Sequence, residues 1–280
     1  MGANFRRQSQ PKGPVGQSGL RQGRAESRSG ALEVKGWPKS TSLHSITVVS
    51  NTLGYYKSEL TTHAKPEDRE FDIRLMIREI GNPIPMYAKK VELALPEQRK
   101  EIGFDFEQAD WIKPYGEGRV ADVTFLGTKN FEDDRNYETT VVLSCSHKNG
   151  GIQPDAAQKN GAFQLSKFKT ARKAPDEGYQ DAHKFIWVRS GNSRKGSTRE
   201  ANYIFRSRVV LDQSGQIKSC HYGKLIGAVN VARKSGCPDT NPVVSFTYYF
   251  NPTPNDRNLE FEPKENLFGA LEWDEEVREP

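Results

Sequence analysis

The chain has 280 residues, of which 35% are hydrophobic and 28% are charged, and its formal net charge is +5. This length allows one large all-β domain or two smaller ones, and the low apolar fraction indicates that part of the chain contributes little to a core. No apolar run approaches the length of a membrane span or a signal peptide, so we expect no membrane span and a cytoplasmic location for the sequence as it stands. A misassigned start codon that hides an export signal is the alternative.

The first 30 residues are rich in Gly, Ser, Gln, Pro and Arg and poor in apolar side chains. Such a composition predicts a disordered leader over residues 1–33. Residues 1–30 hold six basic residues against one acid and so carry +5, which equals the charge of the whole chain, so residues 31–280 are neutral. The leader could contact nucleic acid or another anionic surface weakly, or it could be a solvated extension without a partner. The residues for such a contact are Arg6, Arg7, Lys12, Arg21, Arg24 and Arg28.

Apolar and polar residues alternate along most of the chain after the leader, which is typical of strands with one buried face. In the stretch 71–80, for example, Phe71, Ile73, Leu75 and Ile77 would share a face. The same pattern predicts strands at 89–95, 202–211 and 243–250, and weaker patterns add 45–53, 120–126, 139–145, 184–189, 216–222 and 225–231. Ser214 and Gly215 mark a tight hairpin between two of these strands.

Helical signals are few and short: one stretch after Pro96 and one from Pro263. Without alternation of strands and helices, about ten strands predict an all-β fold, an antiparallel β-sandwich with few short helices. We expect its body over residues 34–268, with a division into two sheets or subdomains near 146–182, and an acidic C-terminal tail over 269–280.

The sequence offers no catalytic motif, and we predict no catalytic residues, no metal site and no cofactor. Residues 191–198 have the glycine spacing of a phosphate-binding P-loop, but Ser197 stands where that loop needs lysine. The five histidines lack the spacing of a metal pair, and Cys145, Cys220 and Cys237 lack the spacing of a zinc site. Free, mostly buried thiols are expected, with a Cys220–Cys237 bridge as the alternative in an oxidising compartment. Acids such as Asp105, Glu107 and Asp122 are plentiful, and spacing alone does not show whether two of them face each other.

Several aromatic residues exceed what one buried strand face would hold. Neighbours in a strand point to opposite sides, so Tyr248 and Tyr249 cannot both face the core. An outer aromatic face could stack sugar rings or nucleobases, whereas packing under loops or in a second core layer is the structural alternative. The residues for such a stacking platform are Trp111, Tyr115, Trp187 and Tyr249.

The stretch FTYYFNPTPNDRNLEF, residues 246–261, joins an aromatic strand to a polar segment. Pro252 and Pro254 cannot donate to a sheet ladder, so the strand ends near Phe250. The Asn and Asp side chains that follow favour turns through local hydrogen bonds, and Arg257 is expected to pair with a carboxylate such as Asp256 or Glu260. This stretch predicts a rigid corner that leads into a last strand at 259–261.

Three segments together resemble a group of uncharacterised, often exported bacterial β-rich proteins. They are IREIGNPIPMYAKKVELALPEQRKEIGF, NYIFRSRVVLDQSGQIKSCHYGKLIGAV and SFTYYFNPTPNDRNLEF, and the likeness spans residues 45–268. The resemblance implies a β-rich body and an extracytoplasmic location. It implies no activity, so no site residue follows from it, and the basic leader departs from the exported pattern.

Three functions fit the sequence. The first is a non-enzymatic binding or structural protein of the bacterial envelope with a polysaccharide ligand. The second is a cytoplasmic protein that associates with nucleic acid through its basic leader. The third is a hydrolase built from dispersed carboxylates.

Overall fold

The computed structural model describes residues 2–9, 22–26, 44–50, 52–64, 77–133, 135–155, 166–197, 201–232 and 242–280. The chain divides into two units: Met1–Gly81 with Asn160–Lys169, and Asn82–Lys159 with Thr170–Pro280. The strands of the first unit are β1 (Gly2–Ser9), β2 (Gln22–Glu26), β3 (His44–Ser50), β4 (Tyr55–Tyr56), β5 (Ser58–Ala64) and β6 (Arg78–Glu79).

In the first unit, four strands form an antiparallel sheet in the order β2-β1-β3-β5, and β4 pairs with β6. Parts of the leader belong to this sheet, because β1 pairs with the β-branched strand β3, where Arg6 lies opposite Thr47 and Phe5 opposite Val48. The remainder of the leader, and most of the strand predicted at 71–80, lie outside the described residues.

The second unit contains two six-stranded sheets. The strands are β7 (Ile84–Ala94), β8 (Glu101–Asp105), β9 (Asp110–Trp111), β10 (Val123–Asp133), β11 (Asn136–Cys145), β12 (Gly151–Pro154), β13 (Ala182–Ser190), β14 (Ser193–Gly196), β15 (Tyr203–Leu211), β16 (Ile217–Ala232), β17 (Val243–Asn251) and β18 (Phe261–Asn266). The first sheet has the order β14-β13-β11-β10-β8-β9, and the second has the order β12-β15-β16-β17-β7-β18. All pairs are antiparallel except β18 with β7. The predicted all-β sandwich is confirmed.

The period-two pattern located most strands of this unit well. Strands β7, β10, β11, β13, β15 and β17 overlap the predicted stretches, and the hairpin at Ser214 and Gly215 joins β15 to β16. The stretches 216–222 and 225–231 were predicted as two strands and form the single strand β16.

The two predicted helices are not formed. Turns and bends follow Pro96, and then β8 begins at Glu101, because Ile102 and Phe104 enter the core and their backbones pair with β10. The segment from Pro263 belongs to β18, where the Asn266 side chain donates to the Ala88 carbonyl oxygen at 2.7 Å. Tertiary pairing therefore outweighs the local proline signal at both places.

The main core lies between the two sheets and is rich in aromatic rings. Phe104 of the first sheet packs edge-on against Phe246 and Tyr248 of the second, with ring centroids 5.4 and 6.1 Å apart. Rings in this arrangement bury large apolar areas and add favourable edge-to-face contacts. The remaining aromatic members of this core include Phe106, Trp111, Phe125, Phe185, Tyr203, Phe205 and Phe250.

The outer side of the second sheet is also covered. One apolar cluster joins Ala174 and Leu259 to Ile204 and Tyr222, and another joins Val277 to Met86, Ala88, Tyr249 and Phe261. The stretch predicted as an acidic C-terminal tail is therefore part of the fold: Val277 is buried, and the Glu279 carbonyl oxygen accepts a hydrogen bond from the Tyr249 hydroxyl at 3.1 Å.

Candidate functional sites

Two of the four residues predicted to stack on a ligand are buried in the second unit. Trp111 is 4% exposed and Tyr249 is 2% exposed, so neither ring presents a face to solvent. Trp111, on the first sheet, donates its indole N–H to the carbonyl oxygen of Ala94 on the second sheet at 3.1 Å. Tyr249 lies in the outer cluster under Val277. These two residues do not form an exposed platform, because their apolar rings fill space and their polar atoms bond the backbone.

Tyr115 and Trp187 are half-buried and pack against the main core. The Tyr115 hydroxyl bonds the Glu97 carboxylate and accepts a hydrogen bond from Lys100 Nζ at 2.6 Å. The bonds from Tyr115 and Lys100 lower the pKa of Glu97. Trp187 directs its indole nitrogen at the Val229 carbonyl oxygen, 3.4 Å away on the facing sheet, and its ring lies where a Cβ at Gly196 would be. The structure does not bring these four residues together.

The predicted corner after β17 is formed, and Asn251 organises it. The buried Asn251 amide donates to the carbonyl oxygens of Asp256 and Asn258, both at 3.2 Å, and its oxygen accepts from the Thr253 backbone N–H at 2.9 Å. Arg257 was predicted to pair with Asp256 or Glu260, but it pairs with Asp176. Glu260 pairs with Arg172 instead. The partners come from a distant loop that local sequence does not reveal.

Three acidic residues meet around one arginine, which we call the Arg208 cluster. Arg208 binds Asp122 through two nitrogens, Nε to Oδ1 at 2.8 Å and Nη2 to Oδ2 at 3.0 Å. Its Nη1 contacts Glu107 at 2.5 Å, and its Nη2 contacts Asp105 at 3.3 Å. Sequence spacing alone could not have placed these four residues together, since β15 meets the 105–122 segment only in the folded chain.

The Arg208 cluster has the chemistry of a structural clamp. Asp122 also accepts from the Ser207 hydroxyl at 3.1 Å and the Phe106 backbone N–H at 2.9 Å. Asp105 accepts from four backbone N–H groups, those of Glu107, Gln108, Arg119 and Val120. Burial alone would lower the pKa of Arg208, but the hydrogen bond to Asp122 and the three nearby negative charges raise it above its usual value. A general acid or base needs a free oxygen toward substrate, and these two buried carboxylates are committed to protein donors.

Among the predicted anionic-partner residues, Arg6 and Arg7 lie on β1 and Arg24 lies on β2. The other three, Lys12, Arg21 and Arg28, lie outside the described residues. Cys145 and Cys220 are free thiols, and Cys237 is not described. Burial raises the pKa of the Cys145 thiol to about 12. Within the described ranges, no group of three His, Cys, Asp or Glu residues could hold a metal ion.

The most exposed tryptophan that the structure describes was not among the predicted residues. Trp273 is 77% exposed, on the C-terminal segment that sequence composition marks only as acidic. Its loop is held in place, because the Lys90 backbone N–H donates to the Glu275 carbonyl oxygen at 2.9 Å and Lys89 pairs with the Glu275 carboxylate at 3.0 Å. The loop between Gly269 and Glu276 therefore presents Trp273 from a fixed backbone.

A groove of about 520 Å³ adjoins this loop, and we call it the C-terminal groove. Its lining combines amide, ammonium, guanidinium and carboxylate groups with Pro263 and Gly269; the polar residues are Lys264, Asn266, Glu276 and Arg278. Two further exposed acids, Glu272 and Asp274, flank Trp273. Leu267 is also partly exposed beside the groove-lining Asn266. Trp273 is not part of the lining, but it lies on the loop between the lining residues Gly269 and Glu276.

Comparison with protein-family models, curated proteins and solved structures gives no match for this chain. The resemblance to exported bacterial β-rich proteins therefore stays a prediction. In the described part of the chain, no helix has the length and apolar character needed to cross a membrane.

Proposed function

We propose that the second unit is a non-enzymatic binding module for a carbohydrate-like ligand, with Trp273 as its stacking residue. The observation that carries the proposal is the 77% exposure of Trp273 on a loop fixed to β7. Sugar rings offer an apolar face and a rim of hydroxyls, which suit an exposed indole ring on a segment that also carries the polar residues of the C-terminal groove. The site differs from the stacking platform that the sequence suggests, but the ligand chemistry is the same.

The Arg208 cluster supports a binding module over a hydrolase. Hydrolysis of a glycosidic bond needs two carboxyl groups on either side of the bond, with one able to donate a proton. Arg208 bridges Asp105, Glu107 and Asp122, and the oxygens of Asp105 and Asp122 already accept protein hydrogen bonds. The envelope location that the resemblance implies is part of the proposal, and cell fractionation with an antibody to the full chain would test it.

The test is retention of the full chain on insoluble polysaccharides such as chitin, cellulose and peptidoglycan, at low and high salt. We expect salt-insensitive binding to at least one of them. Trp273→Ala should bind roughly 5- to 150-fold more weakly, because loss of a central aromatic contact typically costs about 1–3 kcal/mol. Tyr55→Ala is the matched control, since Tyr55 is an exposed aromatic residue of the first unit. Equal retention of Trp273→Ala and the parent chain would contradict the proposal.

The basic leader provides a second candidate function, contact with nucleic acid, because it holds the net positive charge of the chain. Replacing Arg6, Arg7 and Arg24 by Gln should then weaken binding to duplex DNA and flatten its salt dependence. DNA binding that does not respond to salt would exclude this candidate.

A further inference from the structure

The hairpin of β15 and β16 contains an irregularity next to the Arg208 cluster. Ser207 pairs with His221, but the next pairing joins Val210 to Ser219, so the ladder is interrupted between them. Arg208 lies in this bulge with a φ of 49°, in the left-handed region that residues with a Cβ rarely adopt. The guanidinium contacts with the three acids hold this backbone in place. The hairpin beyond the bulge is held by these side-chain contacts and by the hydrogen bond from the Asn255 backbone N–H to the Cys220 carbonyl oxygen at 2.8 Å.

His221 faces the same bulge, and its surroundings favour the neutral imidazole. Its buried Nδ1 has no hydrogen-bond partner within the part of the chain that the structure describes, and its ring stacks on Phe250 with centroids 5.6 Å apart. The surrounding groups are Arg208 from β15, Asp122 and Glu107 from the segment before β10, and the Pro252 backbone after β17. Burial, and then the charge of Arg208, lower the pKa of His221, while the other three raise it by less.

Protonation would place a second positive charge near Arg208, on a ring whose buried Nδ1 has no hydrogen-bond partner among the described residues. A charge without a hydrogen-bond partner is costly to bury. A proton is therefore accepted at lower cost when the ring becomes fully exposed. The ladder is already interrupted between Ser207 and Val210, and separation of the hairpin tip from that point would expose the ring.

We propose that His221 and Arg208 form an acid-sensitive latch, which opens the tip of the β15–β16 hairpin in mild acid while the sandwich stays folded. The direction of the pH effect follows from the linkage between protonation and opening. In the open state His221 has the ordinary histidine pKa of about 6.5, and in the closed state its pKa is lower. The closed state is therefore fully favoured above about pH 6.5 and loses stability as the pH falls below that value. The inference does not depend on the proposed carbohydrate binding.

Amide hydrogen exchange of the full chain at about pH 7.5 and about pH 5 tests the latch, after division by the intrinsic rate at each pH. We expect the population of molecules with an open hairpin tip to rise by as much as about 30-fold at the lower pH. This is the largest effect that a single histidine with an open-state pKa of about 6.5 can give. His221→Gln and His221→Phe, which do not titrate, should lose this rise. Amides of β10 and β11 should not respond.

His183→Gln is the matched control, because burial also lowers the pKa of His183, but its ring packs against Phe185 and Tyr203 away from the bulge. The hairpin tip of this variant should open in acid as in the parent chain. The latch is excluded if the His221 variants keep the full acid response, or if the whole sandwich exchanges in parallel with the hairpin. If both His221 variants fold poorly, the same measurement on Arg208→Lys tests the latch. Weaker contacts between residue 208 and the three acids should raise the pH at which the hairpin tip opens.

Discussion

The two sides of the second sheet are both buried, but by different chemistry. Its inner side meets the first sheet through rings such as Phe246, Tyr248 and Phe250. Its outer side carries fully buried polar groups, including Lys224, whose Nζ lies 4.4 Å from the Tyr249 ring centroid, and Asn251. Stability on the inner side depends on close packing of side chains of the right volume and shape. On the outer side it depends on hydrogen-bond donors and acceptors at defined positions. The inner side should thus be sensitive to lost volume, and the outer side to a single lost amide.

Loss of a central ring on the inner side should have the largest effect on stability. Phe104 packs edge-on against Phe106, Trp111, Phe125, Phe246 and Tyr248. We expect Phe104→Ala to lower the free energy of unfolding by about 3–5 kcal/mol, because it removes buried apolar surface and leaves a cavity. Urea unfolding measures this, with Phe104→Leu as a milder control. A loss under about 1 kcal/mol would show that the aromatic core does not hold the sheets together.

Loss of one amide on the outer side should have an intermediate effect. Asn251→Ala removes the bonds to Asp256, Asn258 and Thr253 and leaves their backbone groups without a partner at the corner. The expected loss in unfolding free energy is about 1–3 kcal/mol. Asn192→Ala, at an exposed turn, is the control and should change stability by less than about 0.5 kcal/mol. Equal values for the two variants would mean that the corner contributes no stability.

The smallest effect is expected at the exposed tryptophan. Trp273→Ala should leave the unfolding free energy within about 0.5 kcal/mol of the parent value, because its ring buries little surface. Trp111→Ala should instead be destabilising by about 3–5 kcal/mol. Thermal unfolding of both variants gives the comparison. A large loss in Trp273→Ala would show that this residue supports the fold, and the binding test would then need a milder substitution such as Trp273→Tyr.

The strand pattern could be predicted from sequence because alternation is a local property, and the corner at Asn251 could be predicted because prolines and amides act on their own backbone. The predicted helix after Pro96 failed because pairing of β8 with β10 decides that segment. The stacking residues were misplaced because the sequence does not say which tryptophan crosses to a facing sheet, as Trp111 and Trp187 do, and which stays outside, as Trp273 does. The Arg208 cluster depends on contacts between segments far apart in the chain, which no local pattern encodes.

The pairing of β7 with β17 has a consequence for how the chain reaches its native state. Val243 lies beside Ala94, so the two strands are separated by more than half of the chain, whereas β16 and β17 are neighbours in sequence. Closing so long a loop costs conformational entropy, and this cost comes before the stabilising contacts between the two strands form. During synthesis, β7 leaves the ribosome long before β17, and the edge of β7 that pairs with β17 stays unpaired until then. We therefore expect slow, late formation of this seam, with chaperone dependence and aggregation most acute until β17 is complete.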